Sequence, residues 1–458
     1  MSKESQSLSE QQLKSLELMR SLSFCVFDLE TTGGNHKSDK IIEIGLVKVQ
    51  NLEIVSSLSF MINPEIKIPE FIQKLTSISE DDVKDSPKIE EVINQILEFM
   101  GDSILVAHNT AFDVPFFNSV LRRLNKPELQ NKSLCTNLMT KYLIPNLLNS
   151  NLNYMCRLFD ISHRKAHRAE DDAFATAELL INYLKIFISK EVTKINHLYY
   201  PRNRYELDRV HYREGTDPQI ILDKFDSIKH PTLITIKGEN GTILSAIPCH
   251  GVKQEKEFVE RKLKELNWKM VSINLYGDYI EPLIQLNGVF NKLGPQEKTE
   301  TMKFLWSHNL PGKKLSQKVV KEEVDKDDPK LHLIDEEIAD FVICHHLVPE
   351  QMIIFPISSM HHKSQLIFRY PGHKKKLIQY INSKSSRISN NKIKKAYFHP
   401  SLKEFIEHYL LEEKNGKQSL FLFKKNYPTA KPADFMAELD LFMAKKISKK
   451  NNYPKEFV

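Results

Sequence analysis

Cysteine is scarce and scattered. Five residues (Cys25, Cys135, Cys156, Cys249, Cys344) are spread through 458 with no C-x-x-C pair, which argues against a disulfide framework or zinc ribbon and suits a reducing compartment. Long apolar runs are also missing, and none approaches the roughly 18 residues of a membrane span. Met1 to Arg20 is polar, with Ser, Gln and Glu where a leader would have a basic start and a greasy segment. A cytoplasmic protein without membrane contact is the expectation. An excess of one charge is lacking overall, the net being +6, yet residues 361–458 hold 21 Lys/Arg against 8 Asp/Glu. Polyanion binding and a lysine-rich solvated surface both explain that basic end.

The length suits about two or three domains, each able to bury its own core. One stretch stands out near the start: Phe24-Cys25-Val26-Phe27-Asp28-Leu29-Glu30-Thr31-Thr32-Gly33. It opens as an apolar, β-branched and aromatic run and ends in a turn signal, so it reads as a buried strand. Side chains alternate across a strand, so Asp28 and Glu30 share a face about 7 Å apart. Two acids at the end of a hydrophobic strand call for a cation; alone, they also describe a solvated strand end.

Lys40 to Val49 and Ile54 to Ile62 read as a hairpin beside that strand. Ser86-Pro87 reads as a helix start, with Ile89, Val92, Ile93, Ile96 and Leu97 forming an apolar stripe that ends at Gly101. Ser103 to Ala107 is a short strand leading into His108-Asn109-Thr110-Ala111-Phe112-Asp113, where a helix to Leu124 begins. Further on, His167-Arg168-Ala169-Glu170-Asp171-Asp172 opens a helix to about Phe187, with Ala177, Leu180, Ile181 and Leu184 on one face. An acidic first turn is what a helix dipole favours in any case.

In that order, over about 145 residues, D-x-E-T-T-G on a strand, H-N-x-x-F-D after a strand and H-x-A-x-x-D on a helix resemble the three motifs of the DEDDh 3′-to-5′ exonucleases. That is the family of the proofreading subunit of bacterial DNA polymerase III. Leu75 to Ser79, Cys135-Thr136 and Leu152 to Ile161 fit family positions between the motifs. The resemblance covers about residues 22–187 and implies an α/β, ribonuclease H-like domain, a mixed sheet flanked by helices.

It further implies that Asp28, Glu30, Asp113 and Asp172 hold two Mg²⁺ or Mn²⁺ ions and that His167 is the general base, since oxygen ligands select hard cations and a near-neutral histidine suits proton transfer. The spacing from His167 selects Asp172 over Asp171. Thr31, Thr32 and Gly33 are candidates to approach the terminal nucleotide, and His108 and Asn109 to line the strand path; turn formation and a structural hydrogen bond are the competing readings. Phe112 reads as core.

The remaining chain is harder to read. The expected organisation is a polar extension at 1–20, the exonuclease domain at 21–190, a basic aromatic linker at 191–217, and an α+β region at 218–458 that splits near 318–330. Thr232 to Ile236 and Thr242 to Ile247 flank a hairpin signal, the helix Glu257 to Leu266 follows, and similar grammar returns from Met352 to Asn382. Gln418, Phe421 and Phe423 resemble the short peptide by which bacterial replication proteins dock on the sliding clamp, though the alternation also reads as an edge strand.

The functional expectation is a metal-dependent exonuclease acting on 3′ ends of nucleic acid, single-stranded DNA before RNA, in proofreading or repair, with a DNA polymerase or clamp as candidate partner. An exoribonuclease trimming RNA 3′ ends is the close alternative. A nucleic-acid-binding or scaffold protein with a structural nuclease fold is the alternative of another class.

Overall fold

The computed structural model describes residues 8–447, except 164–165, 200–204, 252–254, 310–340, 358–364, 371, 390–398, 413–419 and 424–426. The chain forms two compact units that part between Leu207 and Asp208.

The first unit runs through α1 (Glu10–Ser21), β1 (Ser23–Thr31), β2 (Ile41–Gln50), β3 (Glu53–Met61), α2 (Glu70–Thr76), α3 (Glu80–Val83) and α4 (Ile89–Met100). It continues with β4 (Ile104–Ala107), α5 (Thr110–Arg123), β5 (Ser133–Cys135), α6 (Thr136–Leu143), α7 (Leu152–Phe159), α8 (Ala169–Ser189) and α9 (Asn196–Tyr199). The five strands form one mixed sheet of order β3-β2-β1-β4-β5. The hairpin is antiparallel to β1, whereas β4 and β5 run parallel to it. Central β1 buries Phe24, Cys25, Val26 and Phe27 in succession because both of its faces are covered. On one side Val92, Ile93 and Ile96 of α4 pack with Phe116, Phe117 and Val120 of α5. Helix α8 packs on β1 and β2 and buries Ala173, Ala177, Leu180 and Leu184, at the helical period.

Two boundaries in this unit differ from expectation. The polar N-terminus carries α1, closed by a capping box between Ser9 and Gln12. It docks through buried Met19 and through Ser15, whose hydroxyl donates to the Val192 carbonyl at 2.6 Å. With so few apolar side chains committed, its sequence looks like a tail. Ser86-Pro87 does not cap α4, whose N-cap is Lys88 without a side-chain bond; the Pro87 carbonyl instead accepts from the Asn63 backbone at 3.0 Å.

The second unit holds β6 (Arg209–Arg213), α10 (Pro218–Ser227), β7 (Thr232–Lys237), β8 (Ile243–Cys249), α11 (Lys256–Glu265) and β9 (Met270–Leu275). These build an antiparallel sheet of order β6-β9-β7-β8. Helices α12 (Ile280–Phe290) and α13 (Pro295–Asn309) precede β10 (Phe341–His345), β11 (Gln351–Pro356) and β12 (Leu366–Arg369). Then come α14 (Lys374–Ser389), α15 (Pro400–Glu412), β13 (Phe421–Phe423), α16 (Tyr427–Ala430) and α17 (Pro432–Ile447). The second sheet, also antiparallel, has the order β12-β11-β10-β13.

The segment expected as a linker over 191–217 therefore contains a strand: β6 pairs with β9. The expected split at 318–330 and Gln418 lie outside the described residues. Phe421 and Phe423 are taken up by β13. Phe423 is buried and its ring stacks on Phe341 at 5.5 Å, and Phe421 sits against Phe435. The edge-strand reading accounts for both rings, Phe423 buried and Phe421 half-buried. No helix among the described residues is long and apolar enough to cross a membrane.

Candidate active site

The site is built on one face of β1 and β2. In their ladder Asp28 lies opposite Gly45 and Glu30 opposite Glu43, and the register slips between Glu30 and Thr31. A bulge at that point ends regular pairing beside the second acid, a common device for re-aiming side chains at a site. Asp113 arrives from the first turn of α5. It is 4% exposed, and its own backbone N–H and that of Leu29 beside it favour the charged carboxylate.

Asp172 comes from the first turn of α8, and two residues invisible to motif reading place it. Gly45 is one: a Cβ there would lie 2.3 Å from the Ala169 carbonyl oxygen and 2.6 Å from the Glu170 Cα. Only a glycine lets the start of α8 descend this far onto the sheet. Glu43 is the other. It is 3% exposed, and its carboxylate accepts from Arg168 Nη2 at 2.9 Å, Arg168 Nε at 3.1 Å and the Ala169 backbone N–H at 2.9 Å. A buried acid thus holds an unsatisfied helix-start N–H and the residue before it. The available signal was Glu-x-Gly at alternate positions of an otherwise apolar strand, facing Glu30 and Asp28 in register.

Around Asp172 the ligand atoms of Glu30, His167 and Asp172 lie within 4.8 Å of one another. His167 is exposed and has φ +63°, a left-handed conformation that costs a non-glycine residue energy and is often kept for function. The Asp172 carboxylate accepts the His167 backbone N–H and bonds His163 Nε2 at 2.5 Å.

Burial is the largest cause of every acid's shift. It raises Asp28 well above the usual carboxylate range, with repulsion from Asp113, Asp172, Glu30 and Glu43 adding to it. Glu30 is pushed up to about 8 by burial and by Asp172, Glu43 and Asp113, against relief from Arg168. Asp113 is pushed up to about 7 by burial, and Asp172 is raised by burial against its histidine bonds. Four oxygen-bearing acids that repel one another in a partly desolvated pocket fit hard divalent cations.

A pH dependence follows from these directions. Folded-state values raised above unfolded ones stabilise the fold fully below about pH 4, and that stabilisation is lost as pH climbs towards about 8. Metal-free protein should melt progressively lower from pH 5 to 8. Mn²⁺ affinity should rise over pH 6–8, by about tenfold per unit for each proton displaced. Calorimetry in buffers of different ionisation enthalpy reads the released protons directly; affinity independent of pH from 6 to 8 would contradict the electrostatic picture.

The weaker candidates divide. Thr31 Oγ1 donates to the Gly33 carbonyl at 2.7 Å, and Thr32 Oγ1 accepts from the Lys40 backbone at 3.0 Å. Gly33 lies against the Asp39 carboxylate, which a Cβ there would meet at 2.5 Å and could push aside. His108 donates through Nε2 to the Ser150 carbonyl at 2.8 Å and pairs through Nδ1 with Thr136 Oγ1 at 2.9 Å. Burial lowers its pKa, so it sits as a neutral ring with both nitrogens engaged. Asn109 is exposed at the start of α5. Phe112 packs against the core beside Phe116.

With this geometry in place, the sequence comparisons converge. Residues 25–180 match the model of the RNase T exonuclease family. The chain is 46% identical over 157 residues to the PolC-type DNA polymerase III of Clostridium perfringens, which covers 34% of this chain and 11% of that protein. It is 43% identical over 176 residues to the PolC-type DNA polymerase III of Caldanaerobacter subterraneus, 38% of this chain and 12% of that protein. The chain therefore spans only about a tenth of those relatives' length. A solved exonuclease X in complex with 5′-overhanging duplex DNA overlaps 35% of this chain and 91% of its own, at 27% identity and a TM-score of 0.30. Residues 25–180 form a domain similar to the RNase T exonuclease family. Its similarity is to one segment of the PolC-type polymerases.

Proposed function

We propose that this domain is a divalent-cation-dependent 3′-to-5′ exonuclease that hydrolyses the terminal phosphodiester of DNA, in proofreading or repair. The observation that carries the reading is the convergence of Asp28, Glu30, Asp113 and Asp172 on one sheet face with His167 beside them. The four carboxylates would hold two Mg²⁺ or Mn²⁺ ions, which when bound neutralise the acids and polarise the scissile phosphate. His167 takes the proton of the attacking water on a ring nitrogen, and its exposure leaves that nitrogen within reach of solvent. The Thr31–Gly33 turn approaches the terminal nucleotide with its backbone, and Asn109 borders the path of the strand.

DNA is favoured over RNA by the similarity to DNA polymerase III. The same chemistry accepts RNA unless a residue reads the 2′-OH. DNA and RNA oligonucleotides of one sequence, run side by side with Mn²⁺, separate the cases. Faster release of mononucleotides from DNA supports the proposal. Faster release from RNA replaces it with an exoribonuclease, and tight binding without release from either replaces it with a scaffold. Work beside a polymerase is a proposal that this domain's similarity to PolC-type enzymes supports.

A further inference from the structure

We propose that His163 is a second histidine of the site, a positioning residue that fixes Asp172 for the cation and is distinct in its task from His167. This inference rests on the nuclease reading above.

The geometry behind it is specific. His163 Nε2 lies 2.5 Å from Asp172 Oδ1, and His163 Nδ1 lies 2.6 Å from Asn153 Oδ1. The histidine side chain is 7% exposed and that of Asp172 14%. Asn153 stands in the first turn of α7, whose cap Asn151 accepts the Tyr154 backbone N–H at 2.9 Å. Beside that cap, the Ser150 carbonyl holds His108. The segment 150–153 therefore anchors a histidine on each side of the site, one after β4 and one before α8.

An ionised carboxylate only accepts hydrogen bonds, so Nε2 donates to Asp172; with that proton on Nε2, Nδ1 accepts from the Asn153 amide turned so that its nitrogen faces the ring. That bond holds Asp172 Oδ1 and, with the His167 backbone N–H beside it, orients the carboxylate for a cation. Both ring nitrogens of His163 are committed and its side chain is nearly buried, so it is badly placed to take a proton from water. His167, exposed and near Glu30, is left for that step. Sequence alone does not assign these tasks, because His-Arg occurs both at 163–164 and at 167–168. Partners that orient metal ligands typically change metal affinity by about 10- to 100-fold when removed.

The test is Mn²⁺ titration calorimetry on the full chain, with nuclease rates beside it. His163→Ala should weaken Mn²⁺ binding about tenfold or more. His163→Gln should restore most of the affinity, because its amide nitrogen reaches the place of Nε2, and Asn153→Ala should fall between. The rate deficit of His163→Ala should shrink as Mn²⁺ is raised, with the pH–rate profile keeping its shape. The deficit of His167→Ala should persist at every Mn²⁺ concentration and flatten the profile. Unchanged Mn²⁺ affinity in His163→Ala overturns the assignment, as does a folded His163→Gln that restores nothing. Wild-type chain that binds Mn²⁺ yet cuts neither DNA nor RNA removes the nuclease reading, and the affinity comparison still decides the role of His163.

Discussion

Asp28→Ala should lower 3′-end hydrolysis by roughly four orders of magnitude, the scale on which members of a catalytic set fail together. Asp28 feels Asp113, Asp172, Glu30 and Glu43 and is raised well above the usual carboxylate range by burial and by that repulsion, so a bound cation there relieves repulsion from every side. The same position should show the opposite effect on stability. Asp28→Asn keeps the shape and removes the charge, and metal-free protein carrying it should melt higher than wild type. The gain should grow from pH 5 to 8, as the wild-type acids are forced to ionise, at about 2–4 °C per kcal/mol for a domain of this size. Lost activity with raised stability marks a group retained for function. Nuclease rates and melting curves over that pH range check both halves; a destabilised, fully active Asp28→Asn would refute the site assignment.

Gly45→Val should damage the site severely although the position touches no substrate. Its Cβ would meet backbone atoms of Ala169 and Glu170 at 2.3 to 2.6 Å, and backbone has no rotamer by which to yield. The start of α8 must lift from the sheet, taking Arg168 away from Glu43 and Asp172 away from Asp28. Overpacking of this kind costs about 1–3 kcal/mol or more, and displacing a catalytic group by about 1 Å costs roughly a hundredfold in rate. Gly45→Ala should show a smaller version of both losses. Urea unfolding and Mn²⁺ titration separate them, and wild-type stability together with wild-type rate in Gly45→Val would show that α8 is not positioned by this contact.

The parts of the site legible in the sequence are those carried by local periodicity. Asp28 and Glu30 share a face because strands alternate, and the alanines of α8 mark its buried stripe. Glu43 and Gly45 read only as members of a strand, since their roles depend on which strand lies opposite and which helix lies above. His163 was hidden for a related reason: its partner Asn153 lies ten residues back on another helix. Beyond residue 207 the hairpins and helices were readable one at a time, as β7, β8 and α11 were, but long-range pairing was not. β13 joins β10 across about 80 residues, and β6 is so rich in Arg, His and Tyr that it reads as a basic linker. The polar face of α1 concealed a helix for the opposite reason, because little apolar surface is needed to hold it against its neighbours.

The central claim, that four converging acids and His167 make a cation-dependent enzyme for 3′ ends, is tested most directly with single-stranded DNA labelled at the 5′ end. Full-length chain in Mn²⁺ should shorten the labelled strand one nucleotide at a time, stop when EDTA is added, and leave a strand with a blocked 3′ end intact. Internal cuts, digestion that releases the 5′ label first, or undiminished activity in EDTA would contradict it.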